Sequence, residues 1–511
     1  MPRPRPFRVT WWDRFLIGLA PDWGMRRVKS RAAVSLLGSR SYQYEAAGSG
    51  RRTSGWSRSA TDANAAAATS LVRLRELSRD LRRNNSWARR GVQTISNNVV
   101  GWGIQARAVS DKPEVAARAL AIWKAWAEST RCDYDGRMPF TGLQRLVMDA
   151  VVESGEALVV REPAAPVDGL PVPWRVRVLE PDYLDPSKDG VIGAAGGPII
   201  QGVELDARGR RVAYWLYETH PGAVVAGANF TSRRVPAEDV IHVYRVERPG
   251  QTRGVPWLAS AIAKLQDFDD YEDAVLMQQK IAACFSAFVQ DVDAAPTALG
   301  EQDADDAKLE TLEPGHIEYM GPGRDVKFAT PPAVTDQSFS TRNLRRIAAG
   351  LGITYESMSG DFSQVNFSSA RMARLEHWAN VHDWRWNMLI PQLCDGVWRW
   401  IAGFAAALEG WAEVPVVEWS PPPMPMLEPD REGLAYSRLV RNGFQTWDQV
   451  IAERGEDPEA QRLAIAAGNK RDDELGIVLD CDARRVSAAG LTQERVGPGG
   501  GSALASDESA P

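Results

Sequence analysis

The amino-acid sequence predicts an α+β protein in which helical and strand-forming stretches occupy different parts of the chain. Apolar residues recur every three or four positions before residue 154 and again after residue 256, a spacing typical of helices. Between residues 157 and 246 they form short runs separated by turn sequences, which is typical of strands. One periodic segment, residues 256–288, is much longer than an average helix. We therefore expect a β-rich unit flanked by helices, in a chain long enough for about two to four domains.

Regular structure is expected to begin at residues 60–68, which lead into leucines at helical spacing. Arginines lie between these leucines and predict a basic helix face. Further helices are expected at residues 115–128 and 143–153. The leucines are Leu71, Leu74, Leu77 and Leu81, and the arginines are Arg73, Arg75, Arg79, Arg82 and Arg83.

The middle region is expected to be a compact β-rich unit. Turn sequences such as Asp206-Ala207-Arg208-Gly209 separate its apolar runs. The predicted strands are residues 157–161, 174–179, 199–205, 212–217 and 240–244.

Pro256 is well placed as the first residue of a long helix that runs to about Phe288. At 1.5 Å per residue such a helix would be about 45–50 Å long, which suits a stem or bundle. Residues 291–332 are acidic and rich in Gly and Pro, and we expect a small α/β projection there. Helical periodicity returns at residues 339–351 and 369–408, and the second of these helices should kink at Pro391.

The two ends of the chain have a different character. Residues 1–60 mix Arg, Ser, Gly and aromatic residues without lasting periodicity, and are expected to be a largely disordered arm. Pro421-Pro422-Pro423 predicts a rigid spacer, followed by short helices at residues 430–442 and 447–453. Residues 484–511 are expected to be a disordered tail.

The charge of the chain is unevenly distributed. The net charge is −6, yet residues 1–90 contain 19 Lys and Arg against 6 Asp and Glu, whereas residues 91–511 contain 41 and 60. A basic arm on an acidic body indicates an acidic partner, either nucleic acid or a neighbouring subunit. The 19 tryptophans favour a protein with extensive interfaces or a large core.

Several function classes are disfavoured by what the sequence lacks. The four cysteines form no C-x-x-C pair, and no run of about 18 apolar residues indicates a membrane span. There is no G-x-x-x-x-G-K-[ST] phosphate loop and no G-x-S-x-G nucleophile motif. The histidines show no metal-ligand spacing, because His377 and His382 are five residues apart. We therefore expect no metal and no cofactor.

Five acidic residues lie within seven positions of the predicted long helix, and three interpretations are open. A two-metal nuclease site would need converging carboxylates, whereas neighbouring helix positions spread around the axis. A solvated helix face is the second interpretation, and a channel wall or inter-subunit surface is the third. The residues are Asp267, Asp269, Asp270, Glu272 and Asp273.

The segment YESMSGDFSQVNFSSAR, residues 355–371, joins two predicted helices and is rich in Ser, Gly and Asn. Ser368 or Ser369 could cap the helix that follows. Composition alone is equally consistent with a plain connecting loop.

Four segments together resemble the lambda family of bacteriophage portal proteins. They are SRDLRRNNSWARRGV (residues 78–92), RPGQTRGVPWLA (248–259), DFDDYEDAVLMQQKIAACF (267–285) and YESMSGDFSQVNFSSAR (355–371). The segments keep the family's order over about 300 residues, and the likeness extends over roughly residues 40–480. The first 40 and last 30 residues match nothing in the family.

The resemblance implies a non-enzymatic homo-oligomer, a ring usually of twelve subunits at one vertex of the capsid. Such rings nucleate head assembly with scaffold and major capsid proteins, and then dock the large subunit of the terminase. Head-completion and tail connector proteins bind later, and double-stranded DNA passes through the channel without sequence specificity. The implied locations are the host cytoplasm during assembly and then the virion, with no membrane involved.

The resemblance also implies a portal-type arrangement with a mixed α/β wing, long stem helices, a small α/β clip and a helical crown. The arm (1–60) precedes the wing (61–255), and the stem helices (256–290 and 333–352) flank the clip (291–332). A channel loop (353–368), a kinked wing helix with its following segment (369–420), the crown helices (421–483) and the tail (484–511) complete the chain.

Candidate functional residues follow from this comparison. Ser363, Gln364 and Asn366 are neutral polar residues that could touch a moving duplex without holding it, whereas lysines would bind phosphate. The five acidic residues would form a face of the stem helix, and Arg371 is expected in an inter-subunit salt bridge. Two alternatives are a phage DNA-processing enzyme, such as a nuclease or terminase subunit, and a structural head protein without a channel.

Overall fold

The computed structural model describes residues 10–40, 60–224, 231–283, 287–291, 324–328, 337–479, 482 and 484–485. Most of the predicted clip and of the predicted tail lies outside these residues. The chain divides into two compact units after Asp62.

In the N-terminal unit, residues 10–40 form two helices, α1 (Trp11–Leu19) and α2 (Pro21–Arg40), where the sequence predicted an arm largely without regular structure. Residues 1–9 and 41–59 of that arm lie outside the described residues. The buried carboxylate of Asp13 accepts hydrogen bonds from the backbone N–H (2.9 Å) and the hydroxyl (2.6 Å) of Thr10. This capping box fixes the start of α1. Four large apolar residues of α1 are exposed. They are Trp11, Trp12, Phe15 and Leu19.

Helices open the second unit, and those expected at residues 60–83, 115–128 and 143–153 are confirmed. One further helix begins at Ser86, where the Asn85 side chain accepts a hydrogen bond from the backbone N–H of Ala88 (2.8 Å). The helices are α3 (Ala63–Ala68), α4 (Leu71–Asn84), α5 (Ser86–Val99), α6 (Pro113–Ala127) and α7 (Phe140–Ser154).

Gly155 ends α7 in the left-handed conformation, with φ +91°. A Cβ atom at this position would lie 2.5 Å from the carbonyl carbon of Val255 and 2.6 Å from the nitrogen of Pro256. The glycine therefore lets the 248–259 segment pass directly over the end of α7.

Two antiparallel sheets form the β-rich unit. In the first, the central strand β2 pairs with β3 and β8; in the second, the strands follow the order β4-β5-β6-β7. The strand predicted at 199–205 is two strands, because Gln201 and Gly202 have φ values of +46° and +86° and turn the chain back on itself. The bounds are β2 (Glu156–Pro163), β3 (Trp174–Leu179), β4 (Gly196–Ile200), β5 (Val203–Asp206), β6 (Arg211–Tyr217), β7 (Ser232–Pro236) and β8 (Val240–Tyr244).

The long helix is shorter than predicted. Pro256 has an extended ψ of 132° and precedes a single 3₁₀ turn, so that helix α8 spans Ile262–Ala283, a length of about 33 Å. Phe288 lies in a strand, β9 (Ala287–Asp291), which pairs antiparallel with β10 (Arg324–Phe328). Strand β9 ends at the first residue of the predicted clip, and β10 lies near the other end of the clip.

Helices dominate the remainder of the chain. Around Pro391, where a kink was predicted, residues Arg385–Cys394 are wound as a π-helix between α11 and α12. The strand β11 (Val416–Ser420) pairs with β1 (Gln105–Val109) and ties this region to the first helices. The helices are α9 (Gln337–Leu351), α10 (Tyr355–Ser359), α11 (Phe367–Trp384), α12 (Asp395–Glu409), α13 (Pro429–Arg441), α14 (Trp447–Glu453) and α15 (Pro458–Leu475).

Strand β2 separates the two buried clusters of the second unit. Ala157 and Val159 face the helices, whereas Leu158 and Val160 face the β4–β7 sheet, as the two-residue period of a strand requires. Both faces of β2 are therefore buried. Several tryptophans lie in the helical cluster, among them Trp123 and Trp126. None of the helices in the described part of the chain is long and apolar enough to span a bilayer.

Candidate functional site

The predicted channel loop is partly helical. Thr354 caps the short helix α10, accepting a hydrogen bond from the Ser357 backbone N–H (3.2 Å), and Gly360 ends it with φ +69°. The Asp361 carboxylate accepts hydrogen bonds from the Ser363 backbone N–H (3.0 Å) and the Tyr355 hydroxyl (3.0 Å). Hydrogen bonds from Ser363 and Tyr355 lower the pKa of Asp361. The segment is thus a defined turn, not an unstructured link.

The structure brings Ser363, Gln364 and Asn366 together on one exposed stretch between α10 and α11. Asn366, however, is also the N-cap of α11: its side-chain oxygen accepts the Ser369 backbone N–H (2.8 Å). The cap expected at Ser368 or Ser369 is therefore Asn366, with Ser369 accepting the Asn366 N–H in return (3.2 Å). Arg371 is exposed on the first turns of α11 and makes no ion pair with any residue the structure describes.

The five acidic residues of α8 do not converge on one point. Asp269 accepts from the Asn85 amide (2.7 Å) and Glu272 from the Trp87 indole N–H (3.5 Å), which ties one side of α8 to the start of α5. Burial and the neighbouring Asp269 and Asp273 raise the pKa of Glu272. Asp267 pairs with Lys264 (2.8 Å). The two-metal interpretation consequently has no geometric support in α8.

The exposed side of α8 carries the other acidic residues. Asp267, Asp270 and Asp273 recur every three residues on this side, opposite the buried Leu265 and Phe268. We call these three carboxylates the acidic outer face of α8.

Sequence reasoning missed a buried network of charges centred on Glu156. This side chain is fully buried, and its carboxylate accepts from Arg253 (2.6 and 2.9 Å), His242 (2.9 Å) and the Gly254 backbone N–H (2.7 Å). Burial opposes its ionisation, yet Arg253 and His242 hold the pKa of Glu156 well below its ordinary value. Burial lowers the pKa of His242, against the effect of Glu156. The network fixes the 248–259 segment against β2 and β8.

The basic face predicted on α4 does not exist as such. Arg75 is buried beside Glu156 (3.6 Å), Arg79 pairs with Asp182, and Arg82 pairs with two acidic residues of α7. These contacts join α4 to the helices and strands beneath it. Arg75, Arg79 and Arg82 are therefore engaged within the chain, whereas Arg73 and Arg83 remain exposed on α4.

Glu180, Asp182 and His220 are the group with metal-ligand spacing that the described residues contain. The Gly222 backbone N–H donates to Nδ1 of His220 (3.0 Å), which leaves the ring proton on Nε2, 3.2 Å from Glu180. A protonated Nε2 cannot bind a metal ion, and Arg79 already lies 3.1 Å from Glu180. The arrangement fits an ion-pair cluster better than a metal centre.

Arg385, in the π-helix, is buried and donates to three backbone carbonyls. The acceptors are Asn98 (2.7 Å) and Val99 (2.7 Å) at the C-terminal end of α5, and Pro422 (2.9 Å) in the proline spacer. A cation at a helix C-terminus is favourable. Burial lowers its pKa to about 10, so the side chain stays charged at neutral pH. Its guanidinium lies over the Trp378 ring, 5.0 Å from the ring centroid.

Two sequence signals could have revealed these residues. Glu156 is the first residue of β2 and directly precedes the apolar run Ala157–Val160, and Arg253 lies in one of the four family-like segments. Arg385 had no comparable signal, because its acceptors are backbone carbonyls, two of them almost 300 residues away.

Comparison with known proteins supplies the family. Residues 49–385 match the family model described as phage portal protein, lambda family. The chain is 24% identical over 427 residues to a probable portal protein of Halomonas phage phiHAP-1, covering 79% of this chain and 81% of that protein. It is 23% identical over 497 residues to portal protein B of Escherichia phage lambda, covering 86% and 89%.

One solved structure is similar at a lower level. A chain from the neck of a native gene transfer agent particle, computed with C12 symmetry, shares 15% identity at a TM-score of 0.45, over 75% of this chain and 94% of that one. The family match spans the segment from before α3 to the start of the π-helix, and so includes the buried network, α8, α9 and the α10–α11 turn. This chain belongs to the lambda family of phage portal proteins, the head–tail connectors.

Proposed function

We propose that the chain assembles into a ring, in the typical case of twelve copies, at one vertex of the capsid of a virion, and that double-stranded DNA enters and leaves through its centre. The match to the portal family over residues 49–385 is the observation that carries this proposal. The ring would assemble in the host cytoplasm with scaffold and major capsid proteins. It would dock the terminase large subunit first and the head-completion and tail connector proteins later.

The chain itself would act as a conduit and not as an enzyme. Two features of the described residues support this. The acidic residues of α8 point in different directions, and His220 presents a proton to its acidic neighbours. Portal-family function needs no chemistry from the subunit, because the terminase supplies the hydrolysis that moves the DNA.

The parts of the chain are assigned the roles that the family implies. The helices α3–α7 and both sheets would form the wing, and α8 and α9 the stem. The β9–β10 strands would form the base of the clip, and α13–α15 the crown. The tight joining of α4, β2 and the 248–259 segment by buried charges supports a rigid wing that can hold the stem in place.

The exposed turn at residues 360–366 would approach the DNA. Ser363 and Gln364 are neutral and exposed, and neither can form an ion pair with phosphate. Asn366 contributes less to such contact than the sequence suggested, because its side-chain oxygen caps α11. Arg371, exposed and without an ion pair among the described residues, would reach a carboxylate of a neighbouring subunit.

Native mass spectrometry with negative-stain imaging of the purified chain tests the ring. Closed rings with a central hole, at a mass of about twelve chains, are expected. A monomer or dimer that persists across salt and protein concentration would refute the proposal.

The channel assignment has its own experiment. Ser363→Ala with Gln364→Ala, leaving the Asn366 cap intact, should alter DNA packaging or retention in a complementation assay while rings still form. Gln105→Ala with Ser437→Ala, two exposed polar positions outside the turn, is the matched control. Packaging and retention equal to those of the unmodified chain would remove the turn from the channel.

A further inference from the structure

Helices α8 and α9 lie side by side and share one buried seam. Leu265 and Phe268 of α8 and Leu344 and Ile347 of α9 belong to the same apolar cluster. The rings of Tyr271 and Phe339 lie 4.5 Å apart between their centroids across the pair. Each helix therefore turns one face towards its partner and the body, and another face outwards.

The outer face of α9 is basic. Arg342, Arg345 and Arg346 are exposed, opposite the buried Leu344 and Ile347. Arg345 lies over the Tyr355 ring, 5.4 Å from its centroid, and Arg346 makes no ion pair with any described residue. We call these three arginines the basic outer face of α9.

Among the described residues, the acidic outer face of α8 forms one ion pair, between Lys264 and Asp267 (2.8 Å). Asp270 accepts only from the Gln266 amide (3.2 Å), and Asp273 has no partner among the described residues. Three carboxylates within seven residues place like charges close together on this face. One side of the helix pair is thus short of positive charge, and the other side carries an excess of it.

Ring symmetry gives these two faces a common use. A closed ring of identical subunits is built from heterologous contacts, in which each copy offers two different surfaces to its two neighbours. An acidic face on one helix and a basic face on the adjacent helix are complementary between copies and not within a copy. Around the ring, α8 of each copy would then contact α9 of the next copy.

The channel-wall interpretation of the same residues is weaker. If both outer faces lined the lumen, three arginines per subunit would meet the DNA. Each arginine that neutralises a phosphate releases counterions and strengthens binding of the duplex to the channel wall. Docking the two faces on each other removes both the uncompensated acids and the exposed arginines from the path of the duplex.

We propose that the acidic outer face of α8 docks on the basic outer face of α9 in a second copy of this chain, an inference that rests on the proposed ring. The contact sets the direction of assembly, because neither face complements itself.

Charge reversal in two separate variants tests the contact. The first variant is Asp270→Lys with Asp273→Lys, and the second is Arg345→Glu with Arg346→Glu. Each variant alone would bring like charges together at every interface and should lose the ring. An equimolar mixture should recover rings that contain both variants in equal number, because each reversed face then meets a face of opposite charge. An affinity tag on one variant allows the copies to be counted by native mass spectrometry.

The outcomes separate this inference from the function on which it rests. If the unmodified chain forms no ring, the proposed function fails before the variants are compared. If the unmodified chain forms rings and each variant alone does too, the docking inference is wrong and the ring stands. Loss of rings in both variants without recovery on mixing also overturns it.

Cross-linking provides a second measurement that does not depend on charge reversal. Asp273→Cys with Arg346→Cys in one chain, with Cys284 and Cys481 replaced by Ser, should give a ladder of covalent oligomers with a short bismaleimide reagent. Cys132 and Cys394 are buried and remain as they are. Each single-cysteine variant is the control and should give no ladder. The absence of a ladder from the double variant in assembled rings would refute the contact.

Discussion

Removing the negative charge of Glu156 tests whether the buried network holds α4, β2 and the 248–259 segment together. Glu156→Gln keeps the size of the side chain and changes only its charge and one hydrogen-bonding group. The substitution leaves Arg253 buried, with Arg75 close by and His242 still in place. In the present structure the two guanidinium nitrogens of Arg253 lie 2.6 and 2.9 Å from the same carboxylate oxygen.

The expected decrease in the free energy of unfolding is large because the positive charge of Arg253 stays buried when the carboxylate is removed. Breaking a buried ion pair by removing one partner typically costs about 3–5 kcal/mol. Arg253 also donates to the Gln201 carbonyl (2.7 Å), and Arg75 lies 3.7 Å from Asp182, so part of the positive charge stays compensated. We therefore place the loss for Glu156→Gln at about 3 kcal/mol, the lower end of that range.

The same strand supplies the control. Glu162 lies near the other end of β2 and pairs with the half-exposed Arg233 at 3.5 Å. An exposed pair of this kind contributes at most about 1 kcal/mol, so that Glu162→Gln should be nearly neutral. Urea unfolding followed by circular dichroism, on both variants and the unmodified chain in the same assembly state, measures the difference.

If Glu156→Gln and Glu162→Gln lowered the free energy of unfolding equally, burial of the ion pair would not determine its contribution, and the prediction would be wrong. A double-mutant cycle sharpens the test. In an Arg253→Met background the buried guanidinium is absent. There Glu156→Gln should lower the free energy of unfolding clearly less than it does in the unmodified chain. An unchanged cost would mean that Glu156 acts through something other than Arg253.

Three further predictions concern other contacts of the second unit. Arg385→Lys should destabilise the chain by about 2–4 kcal/mol, because one ammonium cannot donate in the three directions that the guanidinium serves; an unchanged Tm would contradict this. Asn366→Ala should cost about 1 kcal/mol through the lost cap and Asn366→Asp much less, as measured by thermal unfolding; equal losses would argue against a capping role. Lowering the pH below about 6.5 should weaken folding, because the unfolded chain binds a proton that buried His242, its pKa held low, does not; unfolding midpoints at pH 7 and 5 should differ less in His242→Gln, and an equal difference would exclude this histidine. The depressed pKa of Glu156 adds a further loss only below about pH 4.3.

Local patterns in the sequence predicted the elements whose signals are local. Helices α6 and α7 and strands β3 and β8 lie where periodicity put them, because each buries a regular face. The errors arose where one backbone conformation overrides the pattern. Pro256 suits the first turn of a helix, yet its extended ψ delays α8 until Ile262, and the left-handed Gln201 and Gly202 split one apolar run into two strands.

The site was less predictable, because its residues are joined across long stretches of chain. The arginines of α4 have the spacing of a solvent-facing basic stripe, and nothing nearby shows that Arg82 meets Asp149 and Glu153, about 70 residues away. Asn366 was identified as a functional residue, but its competing role as a helix cap depends on where α11 begins. A two-residue shift in that boundary changes which side chain is the cap.

Charged residues therefore divide into two groups that a sequence cannot distinguish. Those of the first group, such as Glu156 and Arg385, find partners within the chain and are buried, so that their charges stabilise one arrangement of the second unit. Those of the second group, such as Asp273 and Arg346, have the same spacing along helices but lack partners among the described residues of a single copy. A charge on an ordered helix costs little free energy while it is exposed to water, and in the proposed ring it can meet a charge of the next copy. Such charges can therefore be kept for contacts between copies, whereas an unpaired charge in the body would destabilise every copy on its own.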